Sequence, residues 1–366
     1  MNALLNRVYV KRLYPEYRHV QNFSKHNRTI QNMQIILVTP AGPDSKAGNR
    51  ATAIRWQALL EEAGHRVSVI TDYQGEACDL LIALHAWRSA DAIKVFRQHW
   101  PERPLIVVLT GTDIYRHQKE FPETTRESMA AADTLIGLHD LVADDIPGFC
   151  RHKLVTLRQS ADTPAVKGSS KANPDRFDIC VLGHLREEKD SLRAALAARL
   201  LPEESRIVVS CAGKPHSQEW YEKALDESRT NPRFHYLGQL DRPALENLMA
   251  VSRVMVISSL MEGGANVVSE ASRAGLPVLA SDIPGNRGLL GEDYPGYFPA
   301  GDEKVLARLM RRTETDSDFL PALITRVSQL AETFTPEQER QSLERAVAEA
   351  VMNAGKRNQE AEAGAP

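Results

Sequence analysis

Two glutamates, Glu262 and Glu270, enclose a short segment that holds the adjacent glycines Gly263 and Gly264. The apolar, mostly β-branched run at residues 254–257 predicts a short buried strand just before them. Apolar residues at helical spacing after the glycines predict a helix. A helix that follows a strand and a glycine turn presents unpaired backbone N–H groups at its N-terminus, and such groups bind anions. The segment therefore predicts an anion site with a carboxylate on each side.

The two carboxylates suit hydroxyl groups, because a carboxylate accepts hydrogen bonds. Gly263, Asn266 and Glu270 fall on one face of the predicted helix, since their spacing follows the helical period. We also expect the glycines to let a ligand approach the backbone, because they carry no Cβ. A diphosphate at the N–H groups, with sugar hydroxyls on both sides, is the layout of a nucleotide sugar. The alternative is an ordinary Rossmann-like turn whose glutamates are only solvated.

The composition is that of an ordinary globular protein, with 42% hydrophobic and 25% charged residues. The net charge of −3 argues against a nucleic-acid binder. The apolar runs are too short for insertion into a membrane, and no signal peptide is visible. The four cysteines show no CxxC spacing, so we expect reduced thiols, no zinc site and a cytoplasmic location. The sequence leaves the oligomeric state open.

Strands that alternate with helical segments predict an α/β protein with two doubly wound domains. The basic, aperiodic start of the chain is either the product of a start codon assigned too early or an arm that touches a partner. The predicted units are an N-terminal extension at 1–32, a first domain at 33–160, a linker at 161–176, a second domain at 177–353 and a disordered tail at 354–366.

The first domain offers polar side chains in the two places where α/β proteins bind ligands, its first loop and the carboxyl ends of its strands. The first loop lacks the GxGxxG pattern of dinucleotide sites, and Lys46 and Arg50 give it two cations. The alternatives are a solvated loop and polar residues that only cap helices. The strand ends are predicted to present His85, Arg88, Thr112, Asp113 and Arg116 to one edge.

The segment from Glu262 to Glu270 resembles the E-x7-E motif of family 4 glycosyltransferases, and residues 274–282 match the pattern that follows it in that family. These enzymes have the GT-B fold, in which two Rossmann-like domains with parallel sheets face each other across a cleft. The resemblance implies that Glu262 and the neighbouring amides hold the donor sugar, and that Glu270 holds the ribose. It also implies catalysis without a bound metal or other cofactor.

Residues 183–190 resemble a second segment of that family, in which an arginine and a lysine neutralise the donor diphosphate. Lys189 matches the lysine. His184 occupies the position of the arginine, and Arg186 could restore the charge from two residues further on. The first loop, with Gly48 and Asn49, resembles the glycine-rich GT-B loop that closes over the donor phosphate and the acceptor.

The core, from residue 33 to about residue 350, also resembles a narrower group, the selenosugar synthases of selenoneine biosynthesis. Long shared blocks carry this resemblance, among them residues 37–41, 47–50, 109–113, 180–186 and 261–270. It implies a transfer from UDP-N-acetylglucosamine or UDP-glucose to selenophosphate. The products are a selenosugar with a new C–Se bond, UDP and phosphate.

The patterns and the resemblances together define three sets of candidate residues. The catalytic set is His85, Asp113, Lys189 and Glu262. The donor set is Arg186, Lys189, Glu262, Gly263, Gly264, Ala265, Asn266 and Glu270. The acceptor set is Lys46, Gly48, Asn49, Arg50, Arg88, Thr112 and Arg116.

Two other functions stay open at this point. One is a family 4-type glycosyltransferase that acts on a hydroxyl acceptor, which needs a base to take its proton. The other is a nucleotide-sugar-binding protein without catalysis. A selenium anion is already a strong nucleophile, so a selenophosphate site needs cations for the phosphate rather than a base.

Overall fold

The computed structural model describes residues 32–43, 48–165, 167 and 171–363. Lys46 lies outside the described residues, as do nearly all of the predicted N-terminal extension and part of the predicted linker.

The first domain is built on a six-stranded sheet in the order β2-β1-β3-β4-β5-β6, in which all neighbours run parallel. Every residue of β3 and β4 is buried, because helices cover both faces of a parallel sheet. The strands are β1 (Gln34–Val38), β2 (Arg66–Ile70), β3 (Leu80–Leu84), β4 (Leu105–Leu109), β5 (Thr134–Gly137) and β6 (Leu154–Thr156).

The helices of this domain follow the strands in alternation. They are α1 (Gly48–Glu62), α2 (Ala90–His99), α3 (Gln118–Glu120), α4 (Pro122–Ala131) and α5 (Val142–Asp145), with a π-helical turn at Asp113–His117 and a 3₁₀ turn at Gly148–Lys153.

The second domain repeats this plan with the parallel order β12-β11-β10-β7-β8-β9. Its strands are β7 (Phe177–Leu182), β8 (Ile207–Ala212), β9 (Phe234–Tyr236), β10 (Val254–Ile257), β11 (Val278–Ser281) and β12 (Tyr297–Phe298). Its helices are α6 (Arg193–Ala198), α7 (Gln218–Thr230), α8 (Arg242–Val251), α9 (Asn266–Ala274), α10 (Pro284–Leu290), α11 (Glu303–Thr315) and α12 (Phe319–Ala331), with 3₁₀ turns at Glu187–Lys189 and Glu332–Phe334. The predicted strand–glycine turn–helix unit is β10 followed by α9.

The last helix, α13 (Pro336–Ala363), corrects two predictions. Its apolar face, including Leu343 and Val347, packs into the core of the first domain beside Trp56 of α1. The chain therefore returns from the second domain to the first, and the predicted boundary at residue 353 is wrong for this helix. The predicted disordered tail is also wrong for residues 354–363, because the helix continues through them. Of these residues Ala354 is buried, and Arg357 and Asn358 bond to Asp133 and to the Glu102 carbonyl of the first domain.

Candidate functional site

A cavity of about 410 Å³ opens where the carboxyl edges of the two sheets face each other. Ligands bind at this edge in doubly wound proteins, because loops and helix N-termini converge there. Most of the predicted site residues meet in this cavity although they come from distant parts of the sequence. The predicted residues that line it are Gly48, Asn49, His85, Arg88, Thr112, Arg116, Arg186, Lys189, Glu262, Gly264, Asn266 and Glu270.

The N-terminus of α9 forms part of the cavity wall through Asn266 and Val267. Ala265 precedes the helix in an extended conformation and has no side-chain oxygen that could cap it. Its own backbone carbonyl accepts from the Val268 N–H at 2.8 Å, which closes the first turn. The N–H groups of Asn266 and Val267 receive no cap from the Ala265 side chain, so this end of the helix suits an anion.

Glu262 and Lys189 form an ion pair in the cavity wall, with Lys189 Nζ 2.5 Å from Glu262 Oε1. The Ser259 hydroxyl donates to the same carboxylate oxygen at 2.5 Å. Glu262 is 7% exposed, so its charge needs this partner. The pair places a cation and a carboxylate close to the N-terminus of α9. An incoming diphosphate can therefore bind the Lys189 ammonium, while the Glu262 carboxylate accepts hydrogen bonds from sugar hydroxyls.

Glu270 lies on the next turns of α9 and reaches the cavity from the second domain. Its side chain is open to the cavity, yet the surrounding protein raises the pKa of the carboxyl by desolvation, while Arg242 and Arg55 act in the opposite direction. In its ionised form this carboxylate can accept hydrogen bonds from a diol.

His85 follows β3 with a φ of 79°, a left-handed conformation that is rare for residues other than glycine. The Arg88 backbone N–H donates to its Nδ1 at 3.1 Å, so the proton is assigned to Nε2, which lies 2.9 Å from Thr112 Oγ1. Burial lowers the pKa of the imidazole. The side chain is therefore a neutral group in which Nδ1 accepts from the backbone and the Nε2–H is directed at the Thr112 hydroxyl, so neither nitrogen is an open base.

Asp113 does not line the cavity, which corrects its prediction as a catalytic residue. Its carboxylate is fully buried and accepts from the backbone N–H groups of Ala86 at 3.0 Å, Gly111 at 2.8 Å and Ile114 at 3.1 Å. The aspartate therefore fixes the loop after β4 and the start of the π-helical turn. A strand-end position alone could not distinguish this role from a catalytic one, because backbone donors are not visible in the sequence.

The Asp113→Asn substitution is expected to lower the free energy of unfolding by about 1–3 kcal/mol, because an amide nitrogen would face buried N–H donors. Urea unfolding followed by circular dichroism measures this change. Asp175→Asn, at an exposed position, is the matched control and should be neutral. A fully stable Asp113→Asn protein that had lost activity would return the residue to the catalytic set.

Both glycines of the turn lie at the contact between the domains, and for Gly263, which does not line the cavity, this differs from the predicted reason. A Cβ on Gly263 would lie 2.3 Å from the carbonyl carbon of Thr110, and one on Gly111 would lie 2.4 Å from the Gly263 nitrogen. A Cβ on Gly264 would lie 2.7 Å from Gln159 Oε1. Only glycine lets these backbones touch, so Gly263 is packed against the first domain and does not line the cavity.

The part of the cavity wall that holds the predicted acceptor residues Arg88 and Arg116 carries more basic than acidic side chains. Arg88 is exposed to the cavity, and Arg116 donates to Glu188 of the second domain at 2.7 Å, with Arg186 3.7 Å from the same carboxylate. Burial acts to raise the pKa of Glu188, but a hydrogen bond from its own backbone N–H, together with Arg186 and Arg116, holds this pKa below its ordinary value. Arg50 belongs to α1, but it is not among the residues that line the cavity.

Several cavity residues were not predicted. Lys214 follows β8, so the strand-end rule could have found it. His117 reaches the wall from the π-helical turn, which sequence patterns do not reveal. Thr52 and Gln159 join the site only because α1 and the segment after β6 meet the second domain. No local signal marks contacts of this kind.

Metal ligands are not grouped anywhere in the described part of the chain, where no three His, Cys, Asp or Glu side chains converge. Within those same residues, the helices are all too short or too polar to cross a membrane.

Comparisons with known proteins agree with this architecture. Residues 162–329 match the family model described as glycosyl transferases group 1. The structure is similar to that of Anabaena Alr3699/HepE in complex with UDP and glucose, at 16% identity and a TM-score of 0.67, with 87% of this chain and 100% of that chain covered. It is also similar to sucrose-phosphate synthase from Thermosynechococcus elongatus, at 16% identity and a TM-score of 0.69, with 91% and 100% covered.

A third similar structure is the pneumococcal O-GlcNAc transferase GtfA in complex with UDP and GlcNAc, at 17% identity and a TM-score of 0.58, with 76% of this chain and 57% of that chain covered. Identities this low establish the fold and not the substrates. The chain therefore has the GT-B fold predicted from its sequence, and residues 162–329 match the glycosyl transferases group 1 family.

Proposed function

We propose that this protein is a glycosyltransferase that joins the sugar of a UDP-sugar to selenophosphate and releases UDP and phosphate. The observation that best supports this proposal is that the two walls of the cavity differ in their charged groups. Its second-domain wall combines a helix N-terminus without a side-chain cap, Lys189 and three glutamates, of which Glu188 is paired with Arg116. The first-domain residues that line it, among those described, include Arg88 and Arg116 but no carboxylate.

The second-domain wall suits the donor. The N–H groups of α9 and the Lys189 ammonium can neutralise a diphosphate, and the charge that develops on the departing UDP is stabilised in the same way. Glu262 and Glu270 flank this point and can accept from hydroxyl groups on the sugar and the ribose. The Alr3699/HepE structure contains UDP and glucose, and the GtfA structure contains UDP and GlcNAc. Both sugars therefore remain candidate donors for this protein.

The first-domain wall suits an anionic nucleophile. Asp113 is buried, and His85 accepts from a backbone N–H at Nδ1, so neither is placed to take a proton from a hydroxyl acceptor. The selenium of selenophosphate needs no such base. It attacks the anomeric carbon, the bond from that carbon to the UDP oxygen breaks, and the electron pair leaves on UDP. Water then cleaves the Se–P bond and releases phosphate.

The defining experiment measures UDP release from UDP-N-acetylglucosamine or UDP-glucose, with and without selenophosphate, and identifies the product by mass spectrometry. We expect UDP release to depend on selenophosphate and the product to contain selenium bound to the sugar. Release that requires a sugar or lipid alcohol instead would support a hydroxyl acceptor. Tight UDP binding with no release under any of these conditions would support a binding protein.

Arg88→Ala is expected to raise the KM for selenophosphate by roughly tenfold to a hundredfold, because a charge-assisted hydrogen bond contributes about 1.5–3 kcal/mol. The KM for the UDP-sugar should change little, since the donor contacts lie on the other wall. Steady-state kinetics with each substrate varied in turn give the two values. Arg126→Ala, at an exposed position of α4, is the control. Equal increases in both KM values would remove Arg88 from the acceptor site.

A further inference from the structure

The segment that leaves the first sheet after β6 touches the anion-binding end of α9 directly. Gln159 in this segment is 3% exposed and lines the cavity. Its side chain lies between Thr52 of α1 and the turn before α9, and its backbone carbonyl accepts from the Ser269 hydroxyl of α9 at 2.7 Å. Gln159 is therefore bonded to α9 through its main chain and to α1 through its side chain.

The amide of Gln159 is oriented by its neighbours. With the nitrogen toward the second domain, it donates to the Gly264 carbonyl at 3.2 Å and to Asn266 Oδ1 at 3.1 Å. The oxygen then accepts from the Thr52 hydroxyl at 2.5 Å and from Arg55 Nη2 at 3.2 Å. Only this orientation places donors opposite acceptors on both sides, so each half of the amide serves one domain.

The backbone beside Gln159 is fixed from behind by a buried carboxylate. Glu339 of α13 is fully buried and accepts from the Ser160 backbone N–H at 2.8 Å. The same carboxylate accepts from Trp56 Nε1 at 2.7 Å and from Arg55 Nε at 2.8 Å. The returning helix α13 and α1 thus hold the segment that carries Gln159. A side chain whose backbone is held in this way can position its partners.

We propose that Gln159 is a positioning residue, which holds Gly264 and Asn266 so that the N-terminus of α9 stays open toward the donor diphosphate. It acts through these two residues and has no chemical step of its own. The inference rests on the proposed donor site and deepens it, since it makes donor affinity depend on a contact from the opposite domain. The loss of this contact should affect the donor and leave the acceptor largely unaffected.

The test uses Gln159→Met, which keeps the volume of the side chain but removes both hydrogen bonds to the second domain. We expect UDP to bind about tenfold more weakly by calorimetry, and the KM for the UDP-sugar to rise by a similar factor. The KM for selenophosphate should change by less than about twofold. Gln218→Met, at an exposed position of α7, is the matched control. A general loss of structure would lower the active fraction, and with it the apparent kcat and the binding stoichiometry. A rise in the KM for the UDP-sugar alone therefore separates positioning from simple stability.

A double-mutant cycle adds a second readout. If Gln159 acts through Asn266, the combination of Gln159→Met with Asn266→Ala should weaken UDP binding less than the two single effects predict together. Thr52→Val removes the hydroxyl that orients the amide, and Thr52→Ser restores it. The valine variant should weaken UDP binding in the same direction, with recovery in the serine variant. This pair keeps the test decisive if Gln159→Met does not fold.

Failure of the inference and failure of the proposed function give different results. If the unmodified protein does not bind UDP, the proposed function is wrong. If it binds UDP, and Gln159→Met and Thr52→Val bind UDP as tightly, the donor site stands and the positioning role is wrong. Additive effects in the double-mutant cycle would also contradict the inference that Gln159 acts through Asn266.

Discussion

Lys189→Ala should lower kcat by about 10²–10³-fold, the usual effect of removing one group that stabilises developing charge. Lys189 lies in the cavity wall, and its Nζ is 2.5 Å from Glu262 Oε1. The bond to the leaving UDP breaks as negative charge grows on the diphosphate. The loss of the ammonium therefore raises the energy of the transition state more than that of the bound substrate. The KM for the UDP-sugar should rise as well, but by a smaller factor.

The substitution also leaves Glu262 without its cation, so a second variant is needed to separate the two effects. Lys189→Arg keeps the charge and the partner of Glu262, and it should recover much of the lost kcat. Lys304→Ala, at an exposed position of α11, controls for the loss of a lysine in the same domain. Single-turnover rates of UDP formation measure the chemical step directly. If Lys189→Ala kept the rate of unmodified protein, the leaving group would have to lie elsewhere in the cavity.

The parts of this site that the sequence predicted share one property, which is that their signal is local. The β10–α9 unit is a strand, a turn and a helix in one continuous segment. The strand is marked by a short apolar run, the turn by its glycines and the helix by apolar residues at helical spacing. His85 and Arg88 were found because a buried strand ends immediately before them. In each case the position in the fold follows from a few neighbouring residues, and the parallel sheet then brings the strand ends to one edge.

The parts that the sequence did not predict depend on contacts between distant segments. The sequence predicts that Gly263 leaves room for a ligand. In the structure the backbone of Thr110 occupies the space that a Cβ on Gly263 would need. Asp113 has the position of a catalytic acid, but its partners are main-chain N–H groups. The return of α13 to the first domain places Glu339 behind Gln159, far away in the sequence. Patterns within one segment carry no information on such pairs.

Glu270→Ala should weaken UDP binding by about tenfold to a hundredfold, because a hydrogen bond to a charged group contributes about 1.5–3 kcal/mol. Glu270 lines the cavity on the turns of α9 that follow its N-terminus, the proposed diphosphate site, and this distance along the helix suits the ribose next to a diphosphate. Titration calorimetry with UDP measures the change. Glu332→Ala, away from the cavity wall, is the control. An unchanged affinity for UDP would move the ribose to another part of the cavity.

The same carboxylate predicts a pH dependence of donor binding. Desolvation by the surrounding protein raises the pKa of Glu270, although its side chain is open to the cavity, so the group gains its proton at a higher pH than an ordinary glutamate does. In the proposed donor site, the ionised form is the one that accepts from the ribose hydroxyls. Affinity should therefore be full above the raised pKa and should fall as the pH is lowered through it. Binding of the UDP-sugar without acceptor, measured across acidic pH, gives the profile. Glu270→Gln cannot ionise, so its affinity should be lower and should lack this step; a step that persisted in the glutamine variant would have to come from another group.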